Sequence, residues 1–285
     1  MFKAYVELFR LKPIALILSM VLFAHMFALS ETGLSFSWGF ALLVLGTTAL
    51  ANAAAFALNQ YYEHEADAKM ERTKTRPIPA GLISPRAALT WGLSLFLLAI
   101  ALQYFLINTS TALTTFLCGG LYVWTYTPLK SKSNISTLVG SLPGALLPFI
   151  GWFSVTQGVN LIIAWMSIMI FLWQIPHTFV IVYRYKDEFK AAGGMQLPFV
   201  AGENASFRQS LLYTLVNIPL VFIPVMFRVS GGVYISAALA FTALAVIFVL
   251  RFYKQRNNKT ARQFFFYMLT YLPLVFVFMA ADKIN

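Results

Sequence analysis

Nine stretches of about 20 mainly apolar residues divide this 285-residue chain, near 13–30, 37–62, 86–107, 110–128, 137–156, 160–183, 208–228, 231–252 and 263–281. A helix of that length crosses the hydrocarbon layer of a bilayer. Lipid offers a backbone no hydrogen-bond partners, so such segments fold as helices that satisfy themselves. Only 11% of the residues are charged, against about 25% in soluble domains. The expectation is an all-α polytopic membrane protein of about nine transmembrane helices, forming a single membrane-embedded domain over residues 1–285.

The formal charge of +11 could suggest nucleic acid, but its placement argues against that. Of the 21 Lys and Arg residues, 19 fall at the N-terminus and in the connections after segments two, four, six and eight. Basic residues collect on the cytoplasmic side of membrane proteins, which puts the N-terminus inside and the C-terminus outside. An odd number of spans demands the same arrangement. The one cysteine, Cys118, lies within a segment, so there is no disulfide framework and it reads as a small core residue. The first segment has a basic start but no small-residue cleavage site, and reads as a retained helix. No Arg- and Ser-rich transit peptide precedes it, which favours a bacterial inner membrane.

The two longest connections, near 63–85 and 184–207, hold seven of the ten acids. If segment two stays helical to Asp67, then Asn59, Glu63 and Asp67 stand at i, i+4 and i+8 and stack on one face. Glu65 points about 200° away from Glu63. Stacked carboxylates in an apolar mouth need a cation. Mg²⁺ prefers one or two carboxylates completed by water and substrate phosphate. Bases follow at once: Lys69, Arg72, Lys74 and Arg76. The alternative is a solvated helix end whose acids pair with those bases, although that leaves Asn59, one turn deeper, without a reason.

This arrangement resembles the first signature of the UbiA superfamily of membrane-embedded prenyltransferases, an Asn followed at four-residue steps by acids. Glu63 stands where the usual pattern has Asp. The following MERTKTRPIPAG, from Met70 to Gly81, is similar too. The resemblance implies a nine-helix UbiA-like bundle and transfer of a prenyl group from a diphosphate. Many members carry a second aspartate pair, but here Tyr183 stands four residues before Asp187. The stretch from Gln174 to Pro198 is similar instead to the branch that farnesylates protohaem to haem O: Pro176-His177, Tyr183-Arg184, Lys186-Asp187-Glu188 and the run from Ala192 to Pro198. A third match is TPLKSKSNISTLVGSLPGALLPFIGW, from Thr127 to Trp152.

What the resemblance implies is specific. Glu63, Asp67 and Asp187 would hold Mg²⁺, with Asn59 assisting, so that the diphosphate of farnesyl diphosphate can leave. Arg72, Arg76, Lys130, Arg184 and Lys186 are candidates to contact phosphate oxygens or haem propionates, and His177 and Tyr183 join the substrate-binding set. Haem B is a substrate in this reading, its vinyl group attacking the allylic cation, with water completing a hydroxyethylfarnesyl group. The product would serve haem–copper oxidases, with haem A synthase or oxidase assembly proteins as partners. His177 reads equally as a haem contact or as a cap for carbonyls freed by Pro176. The run 142–151, with Pro143, Gly144, Pro148 and Gly151, is expected to break or kink segment five. Two rival functions remain open: a UbiA-type enzyme acting on a quinone precursor or other aromatic acceptor, and an ion-coupled transporter, which would place acids at the bilayer midplane.

Overall fold

A computed structural model of the chain describes residues 1–195 and 201–283. Among these residues there are no strands, only helices and one isolated bridge between Ser230 and Lys283. The helices are α1 (Phe2–Leu8), α2 (Leu11–Thr32), α3 (Trp38–Asp67), α4 (Pro85–Leu106), α5 (Thr109–Gly120), α6 (Ser136–Phe153), α7 (Leu161–Arg184), α8 (Lys186–Ala191), α9 (Glu203–Leu220), α10 (Ile223–Met226), α11 (Gly232–Gln255) and α12 (Asn258–Ala281). Among the described residues, eight helices are long and apolar enough to cross a membrane. This is a multi-pass membrane protein. The segment expected near 110–128 is helical in three consecutive pieces: α5, a wider π-helical stretch over Leu121–Tyr126, and one more turn at Thr127–Leu129. Pro128 opens that last turn. Its ring lacks an N–H and collides with the carbonyl four residues back, which disfavours a regular α-turn there.

Several helix starts follow from local chemistry. Ser37, Ser84, Asn108, Asn160 and Asn257 each accept a backbone N–H of the first turn of α3, α4, α5, α7 and α12. Such caps satisfy donors that the helix itself cannot.

The expected break in segment five does not form, since α6 runs unbroken through Pro143 and Pro148. Prolines are tolerated in membrane helices where neighbours cover the freed groups. Gly151 serves close helix packing: a Cβ there would fall 2.0 Å from the Val21 carbonyl oxygen of α2. Segment two extends past its expected end near residue 62 as far as Asp67. The connection after it is a packed turn structure, with Ile78 and Ile83 buried in a cluster with Ala4, Leu8, Ala57 and Ala88.

Two compact units divide the chain. Unit 1 comprises Met1–Gly158 and Asp187–Met195, and unit 2 comprises Val159–Lys186 and Gln196–Asn285. In unit 1, α3 and α4 approach through small residues: Ala51 and Ala54 meet Phe96 and Ala99, and Gly92 lies under Leu58. Close approach over small side chains is how helices associate in lipid. Unit 2 is built on aromatics, with Trp165 against Tyr234 and Phe276, and its Nε1 donating to the Leu220 carbonyl at 2.8 Å.

Candidate functional site

The helical continuation to Asp67 puts Asn59, Glu63 and Asp67 on one face of α3, as their spacing requires. Asn59 and Asp67 are each only 1% exposed, whereas Glu63 is half-buried. Each of the three has a partner. Lys130 Nζ lies 2.7 Å from Glu63 Oε1, and Arg76 NH1 lies 2.5 Å from Asp67 Oδ2. Asn59 Nδ2 donates to Thr127 Oγ1 at 3.0 Å, and that hydroxyl donates to the Tyr122 carbonyl at 2.8 Å. The π-helical stretch is thus locked to the acidic face at its deepest polar residue. Lys130 also sits 4.7 Å over the Tyr126 ring. Burial works against its charge, but Glu63 and the Tyr126 and Tyr122 phenols outweigh it, so the ammonium titrates above the usual lysine range.

The turns around this face are tied to it. Thr73 Oγ1 donates to the Asp67 carbonyl at 3.0 Å, which folds the MERTKTRP stretch back and carries Arg76 to its carboxylate. The backbone N–H of Arg72 donates to Glu188 Oε2 at 3.0 Å, and the Arg72 guanidinium lies 5.7 Å over the Phe189 ring. Met195 N donates to the Lys130 carbonyl at 3.0 Å. Parts of three connections, after segments two, four and six, therefore meet within unit 1.

Sequence reasoning missed Arg10. It joins α1 to α2 with a left-handed backbone (φ 47°, ψ 56°), a conformation that costs a non-glycine residue about 1 kcal/mol and persists only when its surroundings fix it. Gln60, on α3 beside Asn59, fixes them by donating to the Leu8 carbonyl at 2.7 Å. The Arg10 guanidinium lies 5.5 Å over Phe56. Burial and nearby Arg76 push its pKa down from the usual arginine value, while Tyr122, Glu63 and Asp67 oppose them. Among the described residues its side chain has no ion pair. Tyr122, Tyr126 and Thr127 were also missed, for want of any sequence signal beyond Thr127-Pro128.

Unit 2 holds the other sequence candidates. His177 is stacked between Trp173 (5.0 Å) and Phe265 (4.9 Å), and its buried Nδ1 has no partner among the described residues. Arg184 lies 5.8 Å over the same Phe265. The Tyr183 hydroxyl donates to the Arg256 carbonyl at the left-handed end of α11, and its ring packs 4.9 Å from Phe252. Lys186 pairs with Glu203 at 3.0 Å. Outside the motifs, His25 Nδ1 contacts Ser154 Oγ at 2.8 Å, a structural bond.

Asp187 is not gathered with the α3 acids. It stands exposed in the first turn of α8, and among the described residues no three His, Cys, Asp or Glu side chains converge as a metal cage. The expected motif run from Ala192 to Pro198 is described only to Met195, since Gln196, Leu197 and Pro198 lie outside the described residues. The α3 face nonetheless fits Mg²⁺ in donor chemistry. Two carboxylates and an amide are hard oxygen donors, and such a cation completes its shell with water and phosphate rather than protein. The cations already on those carboxylates, Lys130 and Arg76, are of the kind that bind phosphate oxygens.

An all-helical membrane fold carrying an Asn–acid–acid face ringed by bases has close counterparts. The profile of the UbiA prenyltransferase family matches residues 17–271. The chain belongs to that family, and is a prenyltransferase. A protoheme IX farnesyltransferase of Myxococcus xanthus is 36% identical over 86% of this chain and 83% of its own length. The apo structure of a UbiA homologue from Aeropyrum pernix covers 94% of this chain and 97% of its own, with a TM-score of 0.71 at 19% identity. A UbiA homologue from Archaeoglobus fulgidus bound to GPP and Mg²⁺ covers 97% of this chain and 99% of its own, with a TM-score of 0.66 at 18% identity.

Proposed function

We propose that this chain is a haem O synthase, one domain that transfers the farnesyl group of farnesyl diphosphate to a vinyl group of protohaem. The observation that carries the donor half is the paired face of α3, where Lys130 sits on Glu63 and Arg76 on Asp67. The likeness to protoheme IX farnesyltransferases over most of the chain supports the acceptor.

Glu63 and Asp67 would hold the cation, with Asp187 as a further candidate carboxylate, and Asn59 is tied to Thr127 at the deep end of the same face. Mg²⁺, when bound, neutralises the diphosphate as it departs. Lys130, Arg76 and Arg72 take phosphate oxygens, so that the C–O bond of the donor breaks with its electron pair on the diphosphate. The rings of Tyr122 and Tyr126, 5.8 Å apart, face cationic charge well and keep water from the allylic carbon. The haem vinyl group then forms the new C–C bond. Water adds to the resulting cation beside the porphyrin and loses one proton. Tyr183, Arg184 and Lys186 belong to the acceptor side with His177. In the cell the protein lies in a bacterial inner membrane, N-terminus inside and C-terminus outside. Its site opens to the cytoplasm, and haem A synthase or oxidase assembly proteins take up the product.

Mass spectrometry of the haem after incubation of the purified protein with protohaem, farnesyl diphosphate and Mg²⁺ tests the reading. The expected product is haem gaining one farnesyl group and one hydroxyl. Unmodified haem, with transfer instead to a hydroxylated aromatic acid, would replace this reading by the quinone-precursor one.

A further inference from the structure

Unit 2 contains a cavity of about 670 Å³ between the end of α7 and the start of α12, a size that accommodates a cofactor-sized ligand. Arg184, Lys259 and Arg262 line it, with Gln263 and Phe266, and among the described residues no acid does. None of the three cations has an ion pair among the described residues. The guanidiniums lean on aromatic faces instead: Arg184 lies 5.3 Å over Tyr185, and Arg262 lies 5.5 Å over Phe266. Gln263 Oε1 is buried without a partner among the described residues, and an unsatisfied polar atom at a cavity wall calls for a donor from a ligand or water. Held without carboxylates, these cations are set up for an anion that arrives from outside.

The shape of the surroundings narrows that anion. Trp173, His177 and Arg184 are separated by four and seven residues, which puts all three on one face of α7. Lys259, Arg262 and Phe266 share a face of α12 in the same way. Phe265 joins the two sets, stacking on His177 at 4.9 Å and lying under Arg184 at 5.8 Å. Cations spread over two helices suit carboxylates set apart on one edge of a molecule. The aromatic run beside them suits a flat apolar body continuing from that edge.

We infer that this cavity seats the two propionate carboxylates of protohaem, held by Arg184, Lys259 and Arg262, with the tetrapyrrole extending along the Trp173–His177–Phe265 stack. The inference rests on the acceptor being haem and adds the anchoring residues Lys259 and Arg262.

The test is a Soret titration of the whole protein and of the double variant Lys259→Gln/Arg262→Gln, in nanodiscs of neutral lipid and in others with anionic lipid. Both side chains are exposed, so the variant keeps its fold. Protohaem should bind at least about tenfold more weakly to the variant in both lipids. The dimethyl ester of haem should bind wild type and variant alike, and excess protohaem should restore farnesyl transfer, raising KM more than it lowers kcat. An unchanged protohaem affinity, or equal loss for diacid and diester, overturns the site. A loss confined to anionic lipid assigns the cavity to a lipid headgroup and also overturns it. Wild-type protein that makes haem O beside a variant that binds haem normally removes only this site. Wild-type protein that neither binds nor farnesylates haem removes the function and the site together.

Discussion

The two units treat charge in opposite ways. On the α3 face of unit 1, each carboxylate has its own cation, Glu63 with Lys130 and Asp67 with Arg76. At the end of α7 in unit 2, three cations line a cavity without an anion among the described residues, and His177 on the same helix has a buried nitrogen without a partner among them. Both pairs are already formed and largely shielded from solvent, so the first arrangement is a preassembled device. Both carboxylates are paired before any substrate arrives, and in the proposed reading a metal–diphosphate pair would exchange partners with these pairs ion for ion. In the same reading the second would be a receptor whose counter-charges come with the ligand. A balanced face suits a donor that brings both signs, and an unbalanced cavity suits an acceptor that is simply an acid.

The largest expected effect falls on the balanced face. Asp67→Asn keeps the volume and a hydrogen-bond acceptor for Arg76 while removing the negative charge. Farnesyl transfer should fall at least a thousandfold, roughly 4 kcal/mol of barrier, with the Soret spectrum of bound haem unchanged. EDTA should reproduce the loss in the wild-type protein, and Mg²⁺ should reverse it. Product formation by Asp67→Asn near the wild-type rate would end the metal role of that carboxylate and with it the contrast between the units.

A change in the other unit should separate acceptor from donor. His177→Ala is expected to reduce haem farnesylation about a hundredfold, while farnesyl diphosphate binding with Mg²⁺ stays within about threefold, under about 0.7 kcal/mol. His177→Phe preserves the stack with Trp173 and Phe265 but has no nitrogen. Activity lost in both variants assigns the imidazole itself. Activity restored by Phe makes His177 a packing residue and leaves only the cations to hold the acceptor.

Much of the donor side was legible because its information is periodic. Four-residue steps from Asn59 to Asp67 fix a helix face without knowledge of the fold. Pairing was not legible at that stage: the sequence left metal binding and ion pairing as alternatives, and the structure shows Glu63 and Asp67 each with a cation. Lys130 reaches Glu63 across 67 positions, and no local pattern encodes that. Proline misled in one place and informed in another. Pro143 and Pro148 leave α6 unbroken, whereas Pro128 stands just after the π-helical stretch and next to Thr127, which meets Asn59. Tyr183 matched a motif, yet its hydroxyl closes the end of α11. The anionless cavity had no signature at all, since Lys259 and Arg262 looked like ordinary positive-inside residues.

Arg10 sharpens the contrast because it breaks the rule of its own unit. It is a cation on the balanced side with no carboxylate of its own, held over Phe56 by a left-handed backbone that Gln60 braces through Leu8. Counting Arg10, Arg76 and Lys130 against Glu63 and Asp67 leaves one positive charge in excess. That surplus is what a diphosphate, more negative than the metal is positive, would need. Arg10→Gln should therefore raise KM for farnesyl diphosphate about tenfold, near 1.4 kcal/mol, with kcat and the thermal midpoint nearly unchanged. Arg10→Lys should recover part of the affinity, because the charge returns but the planar fork does not. The opposite result would be a lowered midpoint with an unaltered KM. It would mean that Arg10 only offsets the two acids, and that an unpaired cation in this chain marks an anion seat in unit 2 alone.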